Sequence, residues 1–378
     1  MTPAPADPHF PSRFHVAVDV VALTISPAGL LQVAVVQRHG ATSCIADPSG
    51  RVREVPRESN DFALPGGHVE WTSESLVDAA CRELAEETGI VVDPEDLVQL
   101  GAYGDPRRDP RSGRTVSVAF VAFKPGFEQP VAGSDAHRAQ FIDVIDLLAA
   151  PHRFEFDHGR MLRHAIARVR DMMERTPIAL NFCGEEFLLS DLRRVYEVLF
   201  ADAYDPGTDV QPLAEELRRR RAIADRFSQS IGELHSGAPP DGPRRDERVH
   251  ALFMAPSLER LDIGLRPSTR ARIRAAAADT GWGDPRAERR STDSGNRWYD
   301  EATLLPLDSA NFARKIAAIK GFVVETQTTH STSNPDGTKR PGRPGRLYRR
   351  GPLVRLEPPL VVKRRSSTSM PMSTAPSS

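Results

Sequence analysis

Three glutamates lie in the most distinctive short stretch of the chain, CRELAEETGI. The apolar pattern predicts a helix that begins near Ser73 and stops at Gly89, since glycine adopts the left-handed conformation at a helix C-terminus readily. Glu83, Glu86 and Glu87 then lie in its last two turns, where the helix dipole and their mutual repulsion both disfavour carboxylates. A cluster that is unfavourable by itself indicates a bound cation.

Apolar segments with strand patterns surround this helix. FHVAVDVVALTI and LLQVAVVQR precede it, FALPGGHVEW runs into a Gly-Gly turn just before it, and LVQLGAY and TVSVAFVAF follow it. Residues 39–60 lack periodicity and are predicted to form a long loop. Strands on both sides of a helix indicate a compact α/β domain.

The stretch GHVEWTSESLVDAACRELAEETGI resembles the Nudix box, in which a glycine, a glutamate and the string R-E-x-x-E-E-x-G follow at set spacings. Its second half matches position by position. The first half departs, because six residues rather than five separate Gly67 from Glu74. The alternative is a solvated acidic helix end, but an ordered string that follows a strand and a Gly-Gly turn is far more specific.

The Nudix resemblance implies an α/β sandwich with a mixed sheet between helices, and a division of roles among the box residues. Carboxylate and carbonyl oxygens would hold Mg²⁺ or Mn²⁺, and Arg82 would pair with Glu74 to orient helix and loop. The metal would neutralise a diphosphate and activate a water. The implied metal ligands are Gly67, Glu83, Glu86 and Glu87, and the implied catalytic residues are Glu74, Arg82 and the same three glutamates.

Aromatic and arginine side chains near the box are candidates for substrate contacts. An aromatic ring can stack on a base, although core packing explains Phe62 equally well. Guanidinium groups suit phosphate oxygens, although surface loops often carry them for solubility. The loop GDPRRDPRSGRTVSVAF is similar to that of Nudix proteins that handle ADP-ribose, which implies ADP-ribose or a related nucleoside diphosphate. The candidate substrate residues are Arg38, Phe62, Tyr103, Arg108 and Arg111.

The C-terminal part of the chain is basic, with 13 Lys and Arg against 4 Asp and Glu between Asp308 and Arg365. A helix capped by Ser190, a second helix in LDSANFARKIAAIKG, and strand, basic loop and strand predict a winged helix-turn-helix that binds double-stranded DNA. The alternative is a basic, flexible linker. The candidate DNA-binding residues are Asn311, Arg314 and Lys315 on the second helix and Lys339, Arg340, Arg343 and Arg346 in the wing.

Segments such as FDHGRMLRHAIARVRDMMERTPIAL and GRPGRLYR look like parts of the Nudix-related transcriptional regulators of NAD metabolism. This resemblance implies a nucleotide-sensing Nudix domain and a winged helix that binds promoter DNA in a homodimer. It covers about residues 14–203 and 305–351 and leaves out a long insertion between the two DNA-binding helices. Two hypotheses stay open: a hydrolase of ADP-ribose-like substrates coupled to a winged helix, and a catalytically weak or inactive nucleotide sensor.

Composition sets the remaining expectations. Three cysteines without metal-site spacing predict a reducing compartment. Apolar runs stay below transmembrane length and the first residues lack a signal-peptide pattern, so we expect a cytoplasmic protein without a membrane partner. The predicted organisation is a disordered N-terminus (1–12), a Nudix domain (13–152), a linker helix with the first part of the winged helix (153–203), an insertion (204–304), the recognition helix and wing (305–360) and a disordered tail (361–378).

Overall fold

The computed structural model describes residues 15–222, 309–330 and 345–361, without residues 27–28, 48–50, 59–60, 71–72, 112–113, 134–135, 151–152, 216 and 220. Several sequence predictions lie outside these residues. They are the disordered N-terminus, most of the insertion, the disordered tail, and the wing residues Lys339, Arg340 and Arg343.

A mixed sheet forms the centre of the N-terminal part. Its central strand β1 pairs in parallel with β7 along one edge, and antiparallel with β2 and the short β5 along the other. The longest strands run in the order β6-β7-β1-β2-β8. The strands are β1 (His15–Ile25), β2 (Leu31–Arg38), β5 (Gly66–His68), β6 (Val98–Tyr103), β7 (Thr115–Phe123) and β8 (Ala136–Asp143).

Helices cover both faces of this sheet. Side chains alternate along β1, so that Val18 and Val20 pack against helix α1 while Val21 and Leu23 pack in the core beneath helix α3. The helices are α1 (Leu76–Thr88), α2 (Val144–Ala149) and α3 (His158–Arg175). The predicted α/β sandwich with a mixed sheet between helices is thereby confirmed.

A β-hairpin occupies the region that the sequence predicted as a long loop, so that prediction was wrong. Strands β3 (Thr42–Ala46) and β4 (Val52–Pro56) pair antiparallel over five residues each. Cys44 and Val52 are buried against Phe156, which comes from a distant part of the chain. Each strand buries too few side chains to show a clear local alternation, and the contact that stabilises the hairpin is not local.

The C-terminal part combines two packed helices with a small antiparallel sheet in the order β10-β11-β9. Tyr196 of α4 packs edge to face on Phe312 of α5, with ring centroids 5.5 Å apart, although the predicted insertion separates the two helices in the chain. Ser190 lies inside α4 rather than at its cap, where Asp191 accepts a hydrogen bond from the Leu188 amide. The elements are β9 (Phe187–Leu188), α4 (Leu189–Leu199), α5 (Ser309–Ala318), β10 (Val323–His330) and β11 (Gly345–Arg350).

The first residues of the predicted insertion belong to the main hydrophobic core. Tyr204, Leu213 and Leu217 are buried in it. Arg221, from the basic run at residues 218–221, forms ion pairs with Asp143 and with Asp146 of α2. Arg221 therefore attaches the start of the predicted insertion to the end of β8 and to α2.

The segment that follows β11 fastens the C-terminal part to the end of α3. The amides of Leu356 and Leu360 donate to the carbonyls of Arg175 and Glu174, at 2.7 and 2.8 Å. Lys315 of α5 donates to the carbonyl of Val361 in the same segment. Among the described residues, none of the helices has both the length and the apolar composition to cross a membrane.

Candidate functional site

Local capping fixes both ends of the glutamate helix α1. The Ser75 hydroxyl accepts from the Asp78 amide at its N-terminus, and Asp78 in turn accepts from the Ser75 amide, as in a capping box. Gly89 follows the helix in the left-handed conformation with φ of 72°. The predicted stop at Gly89 is confirmed, and the three glutamates lie in the last two turns.

The guanidinium group of Arg82 binds three glutamates at this helix. Arg82 binds both oxygens of Glu74 through Nε and Nη2, at 2.9 and 2.7 Å. Its Nη1 donates to Glu83 and to Glu86, each at 2.9 Å, and its Nη2 reaches the carbonyl of His68 at 3.2 Å. The predicted pairing of Arg82 with Glu74 is thus present in the structure, although the loop before Glu74 is one residue longer than in the Nudix box.

The Gly-Gly turn brings the backbone directly onto two glutamates. The Gly66 amide donates to Glu87 Oε2 at 2.9 Å. A Cβ on Gly67 would stand 2.3 to 2.5 Å from the carboxylate atoms of Glu83, so a larger residue here would displace this carboxylate from the turn. Glu74, Arg82, Glu83, Glu86 and Glu87 therefore meet with Gly67 at one place, as the box pattern predicted.

Burial changes the ionisation of the carboxylates in this cluster. Loss of solvent raises the pKa of Glu87 to about 7, although Arg38 and the Gly66 amide oppose the shift. Burial also raises the pKa of Glu83, whereas the hydrogen bond from Arg82 lowers the pKa of Glu74 to about 2. Glu83 and Glu87 therefore resist ionisation, and the exposed carboxylate of Glu86 lies near them. A bound cation would stabilise the ionised form of these carboxylates.

The donor set fits a hard dication in its chemistry. It consists of carboxylate oxygens and one glycine carbonyl, the ligand types that Mg²⁺ and Mn²⁺ prefer. Among the described residues, no three acidic, histidine or cysteine side chains already stand together as a metal-binding group. The reason is visible in the contacts, since Glu83 and Glu86 turn to Arg82 while Glu87 turns to the Gly66 amide.

The Glu87→Gln substitution should stabilise the metal-free protein at pH 8 by about 3 kcal/mol at most, because the pKa rises from 4.5 to about 7 on folding and each unit corresponds to about 1.4 kcal/mol. A raised carboxyl pKa leaves stability intact below 4.5 and removes it as the pH rises towards 7. The gain should therefore fall to about 1 kcal/mol or less at pH 5. Urea unfolding in a chelator at both pH values measures it, with the exposed Glu86→Gln as control, and equal gains at both pH values would contradict the assignment.

Two of the predicted substrate arginines lie over the ring of Phe156, and one of them contacts the Gly-Gly turn. Arg38, at the end of β2, donates through Nη2 to the Gly66 carbonyl at 3.2 Å, and its guanidinium lies 5.6 Å from the Phe156 ring centre. Arg111 lies 4.8 Å from the same ring centre and binds Asp109. Arg38 also lies close enough to Glu87 to oppose the rise of its pKa, a position that suits contact with a ligand bound at the glutamates.

The other three predicted substrate residues lie in buried contacts. Arg108 is only 6% exposed, and Tyr103 donates to or accepts from His164 Nδ1 at 2.8 Å. Phe62 is buried in the main core and its backbone bonds residues 153 and 155, which favours the packing alternative. These contacts favour structural roles for Phe62, Tyr103 and Arg108 over contacts with a substrate.

A buried polar network that the sequence did not predict holds Arg108. Arg108 Nη2 binds Asp19 at 3.1 Å and Asp157 at 3.0 Å. Asp19 also accepts from the Ser117 hydroxyl at 2.5 Å and lies 3.3 Å from His158 Nε2, while His158 Nδ1 accepts from the Leu64 amide at 2.9 Å. The one available signal was an aspartate inside the apolar strand VAVDVVAL.

The predicted DNA-binding residues are only partly described. Asn311 and Arg314 are exposed on α5, whereas Lys315 is half-buried and bound to the Val361 carbonyl. Arg346 on β11 is exposed and pairs with Glu325 of β10 at 3.0 Å. The structure thus places Arg314 and Arg346 on the surface.

Comparison with known proteins gives a family match for the N-terminal part of the chain. Residues 14–165 match the NUDIX domain family. The "ADPR responsive transcriptional repressor NtrR" of Acinetobacter baylyi is 31% identical over 142 residues, which are 36% of this chain and 54% of that protein. "Phosphatase NudJ" of Escherichia coli K12 is 36% identical over 75 residues, 19% of this chain and 48% of that protein. The match with the crystal structure of Shewanella oneidensis NrtR covers 56% of this chain and 86% of the NrtR chain. The sequence identity is 27% and the TM-score is 0.36.

The mixed sheet, the glutamate helix and the family match define a Nudix domain, which residues 14–165 form. The chain spans about half the length of the curated relatives that it matches.

Proposed function

We propose that the Nudix domain binds ADP-ribose or a related nucleoside diphosphate with Mg²⁺ or Mn²⁺ and hydrolyses its pyrophosphate bond. The observation that carries this proposal is the Arg82 cluster, in which one guanidinium holds Glu74, Glu83 and Glu86 while Gly66 holds Glu87. A protein that only sensed a nucleotide would have no need to retain these repelling carboxylates. That the repressor from A. baylyi is described as ADPR responsive supports the ligand class.

The residues of the chain have separate tasks in this proposal. Glu83, Glu86, Glu87 and the Gly67 carbonyl would hold the metal, which when bound neutralises the diphosphate and activates a water. Arg82 and Glu74 position the helix against the loop. Arg38 contacts the turn and Arg111 shares the Phe156 ring with it. Both would bind phosphate oxygens, a contact for which guanidinium geometry is well suited.

Release of AMP from ADP-ribose tests the proposal directly. We expect Mg²⁺-dependent release together with a rise in the melting temperature when ADP-ribose is added. A panel of nucleoside diphosphate compounds assayed in both ways separates the alternatives. Binding without turnover on every compound would select the catalytically inactive sensor, and absence of binding would contradict both.

We infer a second function, DNA binding by a winged helix, from the packing of the C-terminal part. Short strand β9, helix α4, helix α5 and the hairpin β10–β11 occur in the order of a winged helix, and the edge-to-face contact of Tyr196 with Phe312 keeps α4 against α5. The description of the A. baylyi relative as a transcriptional repressor supports this inference. The proposed regulator is a cytoplasmic homodimer, and nucleotide binding shifts it between DNA-bound and released states only if the two states differ in nucleotide affinity.

The Arg314→Ala substitution should weaken binding to a selected duplex by roughly 10- to 100-fold, since a side chain that reads a base contributes about 1–3 kcal/mol. The same change should weaken binding to a scrambled duplex much less. Fluorescence anisotropy with a duplex selected from a random pool measures both affinities, and affinity should fall steeply with salt. Arg168→Ala removes an exposed arginine of α3 and serves as the control. Equal weakening on both duplexes would contradict base recognition by Arg314.

A further inference from the structure

Phe156 has the most unusual backbone in the part of the chain that the structure describes. It is the one residue other than glycine there with a positive φ, 53°, and its side chain is only 5% exposed. Such a conformation is unfavourable for residues with a side chain and persists only where the surroundings impose it. Strain of this kind often accompanies functional sites, which directs attention to the contacts of the Phe156 ring.

Three arginines, one from the end of β2 and two from the loop between β6 and β7, surround this ring. Their guanidinium carbons lie 4.8 Å (Arg111), 5.6 Å (Arg38) and 5.8 Å (Arg108) from the ring centre. Like charges so close repel each other, and the negative face of an aromatic ring is attractive to each of them. The ring therefore offsets part of the repulsion that would separate the arginines.

The neighbours of Phe156 fix it in this position. Its amide donates to the Cys44 carbonyl at 2.7 Å, which attaches it to the β3–β4 hairpin. On one side Glu155 binds Arg57 at 2.8 Å, and on the other His158 contacts Asp19. The segment 155–158 thus joins the hairpin, the central strand and the first turn of α3 at one point.

The three arginines differ in how far their charge is compensated. Arg108 is bound by Asp19 and Asp157, and Arg111 by Asp109. No carboxylate among the described residues lies within ion-pair distance of Arg38, and its buried Nε has no hydrogen-bond partner there. Arg38 therefore leaves positive charge available next to the Gly-Gly turn, while the side chain of Arg111, although paired with Asp109, is 40% exposed.

We propose that Phe156 is a positioning residue for diphosphate recognition, whose ring holds Arg38 and Arg111 as one anion-binding pair. The inference rests on the proposed function of the Nudix site as a nucleoside diphosphate site. Phe156 itself does not contact the phosphates in this arrangement. It acts through the two arginines, so its removal should affect ligand affinity in a manner that depends on them.

Titration calorimetry with the non-hydrolysable α,β-methylene analogue of ADP-ribose and Mg²⁺ tests the proposal. Phe156→Leu should weaken binding by roughly tenfold, the order expected for a lost cation–π contact that is partly desolvated. Phe156→Tyr keeps the ring and should bind close to wild type. Phe154→Leu is the matched control, because Phe154 is equally buried and also contacts the His158 ring, while no arginine ring contact involves it among the described residues.

A double-mutant cycle separates positioning from mere stability. Arg111→Gln should weaken binding strongly in the wild-type background and add little in the Phe156→Leu background, because the arginine is already misplaced there. Phe156→Met replaces the leucine variant if that one does not fold, since methionine fills irregular space. Independent losses in the cycle, or equal affinities for Phe156→Leu and Phe154→Leu, would overturn this inference alone. A wild-type protein that does not bind the analogue would overturn the proposed function and the inference together.

Discussion

Replacing Glu86 and Glu87 together by glutamine should lower Mg²⁺-dependent AMP release from ADP-ribose by at least about 1,000-fold. Each carboxylate loses its charge but keeps its shape, so two of the three side-chain metal ligands become weak. The metal contributes several kcal/mol of charge stabilisation, and each 1.36 kcal/mol corresponds to a factor of ten in rate. Steady-state assays at saturating Mg²⁺ measure this loss.

Folding should survive the double substitution, which makes the loss of rate interpretable. Glu86 is 54% exposed at its side chain, and neutral glutamine is compatible with the burial that raises the pKa of Glu87. Glu95→Gln, which removes an exposed carboxylate outside the cluster, should leave the rate unchanged. Unchanged turnover in the double variant would contradict the assignment of hydrolysis to these glutamates.

Replacing Asp19 by asparagine should destabilise the protein by about 3–5 kcal/mol, the range for removing one partner from a buried ion pair. Arg108, only 6% exposed, would keep a single carboxylate partner, Asp157. Ser117 would lose its strong acceptor, and His158 would lose the anion beside its ring. Chemical unfolding at pH 7 measures the change in free energy.

The Asp19 carboxylate should also make the stability of the protein sensitive to acid. Burial alone raises the pKa of Asp19, but His158, Arg108 and Ser117 outweigh it and hold that pKa well below 3.8, its ordinary value. A lowered carboxyl pKa contributes stability above 3.8 that is lost as the pH falls below it. Asp19→Asn should therefore flatten the acid limb of the stability curve. The control Asp105→Asn, at an exposed ion pair, should leave the unfolding midpoint unchanged. An equally small change in the free energy of unfolding for Asp19→Asn would contradict a stabilising role for the network.

Local features of the sequence were sufficient for the glutamate helix and the strands around it. The apolar spacing, Gly89 and the box pattern depend on residues that are neighbours in the chain, and the structure has the helix, its left-handed stop and the Arg82–Glu74 pair. The extra loop residue raised the question of whether the turn still reaches the helix. The contacts of Gly66 with Glu87 and of Gly67 with Glu83 show that it does.

Features that depend on distant residues could not be predicted in the same way. The hairpin β3–β4 is stabilised by Phe156, about a hundred residues further along the chain. The position of Arg108 depends on Asp19 and Asp157, which lie in two other segments. An arginine that the sequence predicted to bind phosphate from a loop therefore lies in a buried network. The packing of α4 against α5 across the predicted insertion likewise required the structure.

Manganese binding tests the central claim most directly. Mn²⁺ should be titrated into the purified protein together with the α,β-methylene analogue of ADP-ribose and followed by electron paramagnetic resonance. We expect saturable binding of the metal to the wild-type protein and a large loss of that binding in the variant with glutamine at positions 86 and 87. Binding of equal strength in both proteins, or none in the wild type, would contradict the account that these carboxylates hold a dication against a diphosphate.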